Sequence, residues 1–540
     1  MLEIGLYVAL LTALTPLLGG YLARVFGGEL SIAVVDRLTR GCEPQDWKRY
    51  ARSVLVSSAV FFALLYLILR TQGIHPFNPR GFDSPPWDVA FNTTASFVTN
   101  TNWQYYAGET TLSNFSQMAG LAVQNFVSAA VGLAVAIAVI RGIAARSGAD
   151  VGNFYVDLIR ALVYVLLPLS IVAAAVLIAT GVPQSLDLPV ASQEAIKLLG
   201  TNGGGFFNVN SAHPFENPTW LSNFVELLLI LAIPAALTST YGRMVGNRRQ
   251  GWALYAAMLS LFLVAVVVVY VAETNPTPAM DAAGIAGANL EGKEQRFGAA
   301  ATALFVVVTT AASCGAVNGA MEALSGFGGL VPMAQMQTGE VIFGGVGSGL
   351  TTMLMFAILG VFLSGLMVGR TPELLGKKIG AREVKLTVLG TVGVPLLVLV
   401  TTALAMSKWG LVSIYNSGPQ GFSEALYAYT SQANNTGSAF AGYTGFVQPA
   451  DAEPFGITFA NVLGGLAMLF GRFVPLLAVL AIAGSLAGKR VAPAGAGTLR
   501  TDSPTFVVVL IGVIVLVALL TFVPALLLGP VVQGMTDRLF

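Results

Sequence analysis

Gly200-Thr201-Asn202-Gly203-Gly204-Gly205 is a polar, glycine-rich stretch that follows a short apolar run, and three comparable stretches occur elsewhere in the chain. They are Thr99-Asn100-Thr101-Asn102, Ser313-Cys314-Gly315-Ala316 and Asn434-Asn435-Thr436-Gly437-Ser438. With Asn100, Asn202, Cys314 and Asn435 as anchors, neighbouring stretches are 102, 112 and 121 residues apart. Recurrence at a near-constant interval is the signature of internal repeats. The pattern predicts a pore lined by four backbone loops, one from each repeat.

The composition is that of an integral membrane protein. Of the 540 residues, 55% are hydrophobic and only 10% are charged, whereas soluble domains carry about 25% charged residues. A net charge of +1 provides no basic surface for nucleic acid, so no nucleic-acid partner is expected. Cys42 and Cys314 are too few and too far apart for a disulfide framework or a metal cluster. The composition therefore leaves transporters, channels and membrane enzymes.

Apolar runs of two lengths alternate along the chain. Ten are near the roughly 20 residues that span a bilayer, at 4–26, 51–71, 120–141, 157–181, 222–242, 253–272, 346–367, 386–406, 460–484 and 505–529. Four shorter runs, 86–98, 190–199, 299–312 and 421–432, each end at a polar stretch and are typical of re-entrant half-helices. We therefore expect an all-α membrane protein with ten transmembrane helices, in which four pseudo-repeats of helix, pore half-helix, loop and helix surround one pore, with an extra helix at each end.

This alternation predicts the boundaries of the units. They are an N-terminal helix and loop at 1–50, pore repeats at 51–150, 151–250, 251–383 and 384–490, and a C-terminal helix at 491–540. Twenty of the 28 Lys and Arg residues fall on one side of the predicted spans and six on the other, which places the twenty in the cytoplasm and both termini outside. All four polar loops then enter from the outside.

The predicted outer loops are rich in acidic residues. A net-negative mouth would concentrate cations, although ordinary solvated loop charge explains any single residue equally well. The acidic residues include Asp83, Asp88, Glu109, Glu194, Glu216, Asp281, Glu291 and Glu294.

The polar loops have the chemistry of a potassium filter. An ion in a narrow pore loses its water, and rings of backbone carbonyls replace that water for potassium. Glycine allows the backbone to turn successive carbonyls inward, and half-helices that end at the loops direct the negative ends of their dipoles at a cation. The loops carry no carboxylate at their centres, which suits a weakly hydrated monovalent ion better than calcium or magnesium.

The segments 98–121, 199–218, 313–318 and 434–442 resemble the four filter regions of the potassium-binding A subunits of Kdp potassium pumps, part of a superfamily of potassium transporters with four pore repeats. The resemblance extends over nearly the whole chain. It implies a non-catalytic subunit in the bacterial plasma (inner) membrane, with both termini extracytoplasmic. Its implied partners are a P-type ATPase catalytic subunit, a single-span C subunit, a small single-span peptide and membrane lipid. ATP hydrolysis on the catalytic subunit would drive high-affinity potassium uptake, with the ion passing to that subunit through an intramembrane tunnel.

The resemblance also implies individual site residues. Gln104, just after the first loop, matches a position linked to ion affinity in the family, and potassium is the only metal ion implied. The implied filter residues are Asn100, Thr101, Asn102, Thr201, Asn202, Gly203, Ser313, Cys314, Gly315, Asn434, Asn435, Thr436 and Gly437.

A glycine-rich segment at 339–349 begins where the inner helix of the third repeat should begin. Its glycines predict a break in that helix below the filter, and Glu340 is an acid at membrane depth, which is costly unless paired or hydrated. The resemblance implies an intramembrane loop that gates the pore, containing Gly339, Glu340, Gly344, Gly345 and Gly347. We predict a gating or electrostatic role for Glu340; a paired acid that holds the loop in place is the alternative. Arg370 corresponds to an arginine near that loop in the family, although an ordinary positive-inside anchor explains it as well.

Sequence motifs for nucleotide chemistry are missing from the chain. There is no phosphate-binding GxxxxGK[ST] segment and no DKTGT-like segment with an aspartate for phosphorylation, so we expect no bound nucleotide and no ATP hydrolysis by this chain. The preferred function is the ion-selecting subunit of a potassium pump. A self-sufficient potassium channel or cation symporter of the same superfamily is the alternative. A membrane enzyme using Glu340 or Cys314 is a third hypothesis, but neither residue has an identifiable catalytic partner.

Overall fold

The computed structural model describes residues 2–146, 148–369, 371–407, 414–443, 454–491 and 500–537. Within them, ten helical segments are long and apolar enough to cross a membrane, as the sequence predicts, and the chain is a multi-pass membrane protein. Their helices are α1 (Leu2–Gly27), α3 (Trp47–Arg70), α6 (Val123–Ala144), α7 (Phe154–Arg160) with α8 (Leu167–Ala179), α10 (Trp220–Met244), α11 (Arg248–Thr274), α15 (Ser348–Val368), α16 (Ala381–Ala405), α18 (Pro454–Ala487) and α19 (Pro504–Leu526).

Four shorter helices lie inside the bundle rather than across it. They are almost completely buried, as expected for half-helices surrounded by protein. They are α4 (Trp87–Val98), α9 (Val190–Leu199), α13 (Gly298–Ala311) and α17 (Gly418–Ala433). Each stands between two spanning helices, so helix, half-helix, loop and helix follow one another four times, between α1 at one end of the chain and α19 at the other. The predicted all-α architecture is confirmed.

The remaining elements are short. The helices are α2 (Ala33–Leu38), α5 (Gly108–Thr111), α12 (Pro278–Ala282), α14 (Gly326–Gln337) and α20 (Val532–Met535). Wider π-helical turns occupy Ser116–Ala122, Ala161–Leu166 and Leu527–Val531. The strands are β1 (Gln45–Asp46), antiparallel to β2 (Asp150–Gly152), and β3 (Glu373–Leu374), antiparallel to β4 (Lys377–Lys378).

The inner helix of the third repeat is broken in its middle. Its first half is α14, and its second half, α15, begins only at Ser348 after a glycine-rich turn at 338–347. The break itself lies where the glycines predict it. The expectation that the helix begins at this turn was wrong, because α14 is too short and too rich in Gly, Gln and Pro to be recognised as part of a span.

At the far ends of α6 and α18 from the filter loops, one lysine joins two helices. The buried Lys377 Nζ donates to the Gly142 carbonyl oxygen in the last turn of α6 (3.1 Å) and to the Leu486 carbonyl oxygen in the last turn of α18 (2.8 Å). The last carbonyls of a helix have no partner within the helix and favour a nearby cation. The β3–β4 hairpin therefore fastens the inner helices of the first and fourth repeats together.

Candidate ion filter and the cavity beside it

All four polar loops share one unusual backbone conformation. In each, two residues separated by one have positive φ, a region that costs a non-glycine residue about 1–2 kcal/mol and that persists where the surroundings enforce it. The pairs, with φ in degrees, are Asn100 (65) and Asn102 (54), Thr201 (51) and Gly203 (89), Ser313 (48) and Gly315 (84), and Asn435 (53) and Gly437 (99). Because the same two-residue pattern recurs in four separate segments, the fold requires this conformation in each repeat.

The conformation corrects the alignment of the loops. The first left-handed residues, Asn100, Thr201, Ser313 and Asn435, are structurally equivalent, and the spacings between them are 101, 112 and 122 residues. Asn202 and Cys314 are therefore equivalent to Thr101 and Thr436. Anchoring the first and fourth loops on Asn100 and Asn435 was wrong by one position, because asparagine recurs at different places in different loops.

The loops touch one another in a ring. A methyl group on the second left-handed residue of loops two, three and four would overlap a backbone carbonyl oxygen of the following loop. These contacts join Gly203 to Cys314 O, Gly315 to Thr436 O, and Gly437 to Thr101 O. Only glycine permits both the left-handed backbone and this approach. Each of these carbonyl oxygens therefore lies directly against the backbone of the neighbouring loop.

The first loop closes the ring differently. Its second left-handed residue is Asn102, and a Cβ on Gly204 of the second loop would lie only 2.7 Å from the Asn102 Cβ. The next glycine, Gly205, leaves room for the Glu216 carboxylate, whose two oxygens would lie 2.8 Å from a Cβ there. Each glycine of the triplet in the second loop therefore makes room for a different neighbour, namely Cys314, Asn102 and Glu216 in turn.

Buried side chains support the loops from behind. Asn435 Nδ2 donates to Thr101 Oγ1 (2.9 Å) and to the Met468 carbonyl (3.0 Å), which joins the fourth loop to the first and to α18. The carboxamides of Asn100 and Asn202 are in contact at 2.6 Å, which joins the first loop to the second. These bonds between buried side chains and neighbouring elements hold the loop backbones in place.

The half-helices end at the loops. Their C-terminal caps are Thr99, Gly200, Ala312 and Asn434, each immediately before the first left-handed residue. The partial negative charge at each helix C-terminus is thus directed at the ring of loops. Together with the carbonyls, this makes the centre of the ring favourable for a cation and unfavourable for an anion.

The turn that breaks the third inner helix passes beside the ring. Gly344 N donates to the Ala311 carbonyl (2.8 Å) at the end of α13, and Val346 N donates to Thr201 Oγ1 (2.9 Å) in the second loop. A Cβ on Gly347 would overlap the Gly132 carbonyl in α6. The turn therefore reaches repeats one, two and three and occupies the space below their loops.

A cavity lies on the remaining side, under the fourth loop. Its volume is about 60 Å³, and both Glu340 and Arg472 of α18 line it. Glu340 is only 8% exposed, and the Arg472 charge acts on it. Other polar and small residues of the lining are Gly339, Gly347, Ser348, Thr351, Thr352, Thr391, Asn434 and Asn435. The lining includes α15, α16 and α18, so the cavity extends sideways from the ring towards α16.

Arg472 is the residue that sequence reasoning missed. It was not considered because it lies in an apolar span, yet an ionisable residue at membrane depth is itself a signal of function. That rule was applied to Glu340 and identifies Arg472 equally well. The lining shows why the two occur together, since each supplies the opposite charge for the other.

Other predicted residues are placed as follows. Gln104 lies directly after the first loop, where Nε2 donates to the Tyr106 hydroxyl (3.3 Å). Arg370 lies outside the described residues. Asp88, Glu194 and Glu216 were expected as charges of an outer mouth, but they are buried and bonded inside the protein. For these three the expectation was wrong, because charge counts along a sequence do not distinguish solvated carboxylates from paired ones.

Comparisons with known proteins agree with this architecture. The chain is 50% identical to the potassium-transporting ATPase potassium-binding subunit of Brucella anthropi, over 98% of this chain and 97% of the relative. It is 52% identical to the protein of that name from Methylorubrum extorquens, over 98% of this chain and 96% of the relative. The crystal structure of the potassium transporter TrkH from Vibrio parahaemolyticus has a similar fold, with a TM-score of 0.54 at 16% identity over 86% of this chain and 97% of that one.

The family comparison covers the whole of the described architecture. The family described as "Potassium-transporting ATPase A subunit" matches residues 5–535, which include all four filter loops and all ten spans apart from the first three residues of α1. Together with relatives at about 50% identity over nearly their full length, this match shows that the chain belongs to the potassium-transporting ATPase A subunit family.

Proposed function

We propose that this chain is the potassium-binding and translocating subunit of an ATP-driven potassium uptake pump. The observation that carries the proposal is the ring of four loops, each with its pair of left-handed residues and each in close contact with the next loop. The ion-binding residues are Asn100, Thr101, Asn102, Thr201, Asn202, Gly203, Ser313, Cys314, Gly315, Asn434, Asn435, Thr436 and Gly437, with Gln104 beside them. Family membership favours this function over a self-sufficient channel or symporter.

Potassium is selected by exchange of its water for these carbonyls. Glycine at the second left-handed position keeps neighbouring loops in contact, so the ring is braced against collapse onto a smaller ion. Because the loops hold no carboxylate, the field at the centre comes from carbonyl and helix dipoles. Such a field suits a weakly hydrated monovalent cation.

From the filter, the ion passes sideways into the cavity. The turn at 338–347 obstructs the straight path below loops two and three, whereas the cavity lies beneath loop four. Glu340 attracts a cation there and Arg472 limits how firmly it is held, so the pair controls passage. Gly339, Gly344, Gly345 and Gly347 give the turn its shape, and the family resemblance assigns Arg370 to the same gating region.

The cavity leads to a partner that supplies energy. The relatives are named as subunits of a potassium-transporting ATPase. We therefore infer a P-type ATPase catalytic subunit that accepts the ion, with a single-span C subunit and a small single-span peptide completing the complex. The chain itself binds no nucleotide. It lies in the bacterial inner membrane with both termini extracytoplasmic, divided into pore repeats at 51–150, 151–250, 251–383 and 384–490 between flanking segments 1–50 and 491–540.

ATP hydrolysis by the complex tests the proposal. The tagged chain is purified with its partners from potassium-starved cells, and hydrolysis is titrated with potassium and with sodium. We expect stimulation by potassium at concentrations far below those at which sodium acts, and loss of this stimulation in Gly203→Asp, which places a carboxylate against the Cys314 carbonyl. Potassium flux through liposomes containing the chain alone, without copurifying ATPase, would establish the channel or symporter instead.

Variants of the cavity test the route. Glu340→Gln and Arg472→Gln each leave one charge without its partner and are expected to slow potassium uptake severalfold while the complex still assembles. The double variant removes both charges and should recover part of the activity. Uptake kinetics equal to those of the parent in all three variants would exclude a role for this pair in passage.

A further inference from the structure

A buried lysine lies behind the second filter loop. Lys197 is in α9, one turn before the loop, and its side chain is fully buried. Its carbonyl oxygen accepts from Asn202 N (2.8 Å) and Gly203 N (3.1 Å), so its backbone already forms part of the filter bend. The equivalent residues before the other three loops are Ser96, Thr309 and Ser431. A charge at this position is specific to the second repeat.

The lysine ammonium is surrounded by oxygen atoms. Nζ lies 2.5 Å from Glu194 Oε2, 2.5 Å from Glu216 Oε2 and 2.7 Å from Asn210 Oδ1. Glu216 is fixed in turn, because its Oε1 accepts from Phe207 N (2.8 Å). A third carboxyl group, that of Glu226 in α10, is fully buried beside Glu194. The ammonium is therefore held rigidly by at least three ligands.

Asn210 connects this cluster to the filter. Its Oδ1 accepts from Lys197, and its Nδ2 donates to the carbonyl oxygen of Gly203, the second left-handed residue of the loop. Asn210 is itself left-handed (φ 58°), a conformation that asparagine tolerates better than most residues. With one side of its amide fixed by a buried charge, the other side can hold the Gly203 carbonyl in only one orientation.

Stability alone does not account for such a cluster. Replacing buried ion pairs with apolar groups of similar size is often neutral or stabilising, and the other three loops have no lysine at this position. A hydrogen bond from an amide also lowers the negative potential of the carbonyl that receives it. The cluster therefore controls both the orientation and the strength of one filter oxygen.

We propose that Lys197 and Asn210 are positioning residues that set the potassium selectivity of the filter through the Gly203 carbonyl. This inference rests on the proposed function of the four loops. In the parent protein, the Asn210 hydrogen bond restrains the Gly203 carbonyl and reduces its attraction for small cations. Released from Asn210, it can move towards the centre and offer a stronger field, which favours sodium relative to potassium.

Two substitutions at Asn210 separate the contacts. Asn210→Asp keeps an oxygen for Lys197 but removes the donor to Gly203, and aspartate tolerates the left-handed backbone. Asn210→Gly keeps the backbone and removes both contacts. In the purified complex, we measure the sodium and the potassium concentrations that give half-maximal stimulation of ATP hydrolysis. We expect the ratio of the sodium to the potassium concentration to fall at least threefold in both variants, with little change in the maximal rate. Lys197→Met, which frees the Asn210 amide, should change the ratio in the same direction.

The chain provides a matched control in the third repeat. Lys293 and Glu273 form another buried pair at 2.7 Å, and the bonds described for Glu273 go to Ser325 and Asn289, not to a filter loop. Lys293→Met is expected to lower the thermal stability of the complex without changing the sodium to potassium ratio. If the Asn210 variants change stability but not the ratio, as this control does, the inference is wrong.

A filter variant measured in parallel distinguishes failure of the positioning role from failure of the proposed filter function. Gly315→Ala alters the ring without touching Lys197 or Asn210. If it alters potassium stimulation while the Asn210 variants do not alter the ratio, only the positioning role fails. If Gly315→Ala is itself equal to the parent, the proposed function of the loops fails and the inference fails with it.

Discussion

The first filter loop and the other three solve the same packing problem in opposite ways. In loops two, three and four, the second left-handed residue is a glycine, Gly203, Gly315 or Gly437, because the next loop's carbonyl lies where its Cβ would be. In loop one that residue is Asn102, and the space is provided by Gly204 on the neighbouring loop instead. What the ring requires is therefore a missing side chain at each contact, on either of the two loops.

The difference also shows what the first loop gains. Asn102 Nδ2 donates to Asn125 Oδ1 (2.8 Å) in α6, so this loop is bonded through a side chain to its own inner helix. A glycine at the same position would lose this bond to α6. At the second left-handed position, the ring therefore has close backbone approach in three loops and a buried amide bonded to α6 in the first.

The largest effect is expected where a methyl group meets a carbonyl. Gly315→Ala places a Cβ over Thr436 O at a residue with φ 84°, which costs about 1–2 kcal/mol for the backbone alone. We expect potassium-stimulated ATP hydrolysis by the complex to be abolished. Normal stimulation in this variant would show that loops three and four are not in contact as described.

A double substitution tests the exchange between loops one and two. Gly204→Ala brings a Cβ to 2.7 Å from the Asn102 Cβ and should reduce potassium affinity by about tenfold or more. Adding Asn102→Gly removes the side-chain clash but leaves the Asn102 carbonyl oxygen 3.0 Å from the new Cβ, so it should recover part of the affinity, measured as the potassium concentration for half-maximal hydrolysis. Additive losses in the double variant would contradict a direct contact between these residues.

A smaller effect is expected from the partner of Asn102. Asn125→Leu retains the volume of the side chain and removes the acceptor, leaving a buried donor unpaired at a cost of about 1–3 kcal/mol. Thermal unfolding of the complex should shift downwards, and half-maximal stimulation should require severalfold more potassium. Asn125→Asp, which keeps an acceptor oxygen, is expected to be closer to the parent.

The smallest effect is expected at a glycine with no role in the ring. Gly360 lies within α15, and no atom lies within 4 Å of the position of an added Cβ. Gly360→Ala should leave potassium stimulation unchanged and raise stability by up to about 1 kcal/mol through helix propensity. A marked loss of activity would mean that α15 needs this glycine for movement.

Much of the fold follows from the sequence because the membrane restricts the choices. Apolar runs of two lengths correctly predict the spanning helices and the half-helices, since backbone at membrane depth must be helical or enclosed by protein. Helix α14 is the exception, because its Gly, Gln and Pro content is compatible with burial in protein but not with contact to lipid. Length and hydropathy alone cannot identify such a helix.

The site was predicted less completely, and for a different reason. The polar loops are easily recognised in the sequence, but their alignment with one another depends on which residues are left-handed. Asparagine, threonine and serine adopt that conformation here as well as glycine, so residue type alone does not identify the equivalent positions. Lys197 reads as a loop charge in the sequence, and only the fold brings Asn210 and Glu216 to it. The spacing of these three residues follows no helical or repeat period, so the sequence gives no indication that they are in contact.

The lysine bridge at the far end of the bundle has a consequence for how the pathway can open. Lys377 holds the last turns of α6 and α18 through two hydrogen bonds. A valve that works by spreading its inner helices at that end would have to break both bonds and leave a buried ammonium without acceptors. This bridge therefore resists separation of the two helices at that end, which is consistent with the proposed sideways route through the cavity.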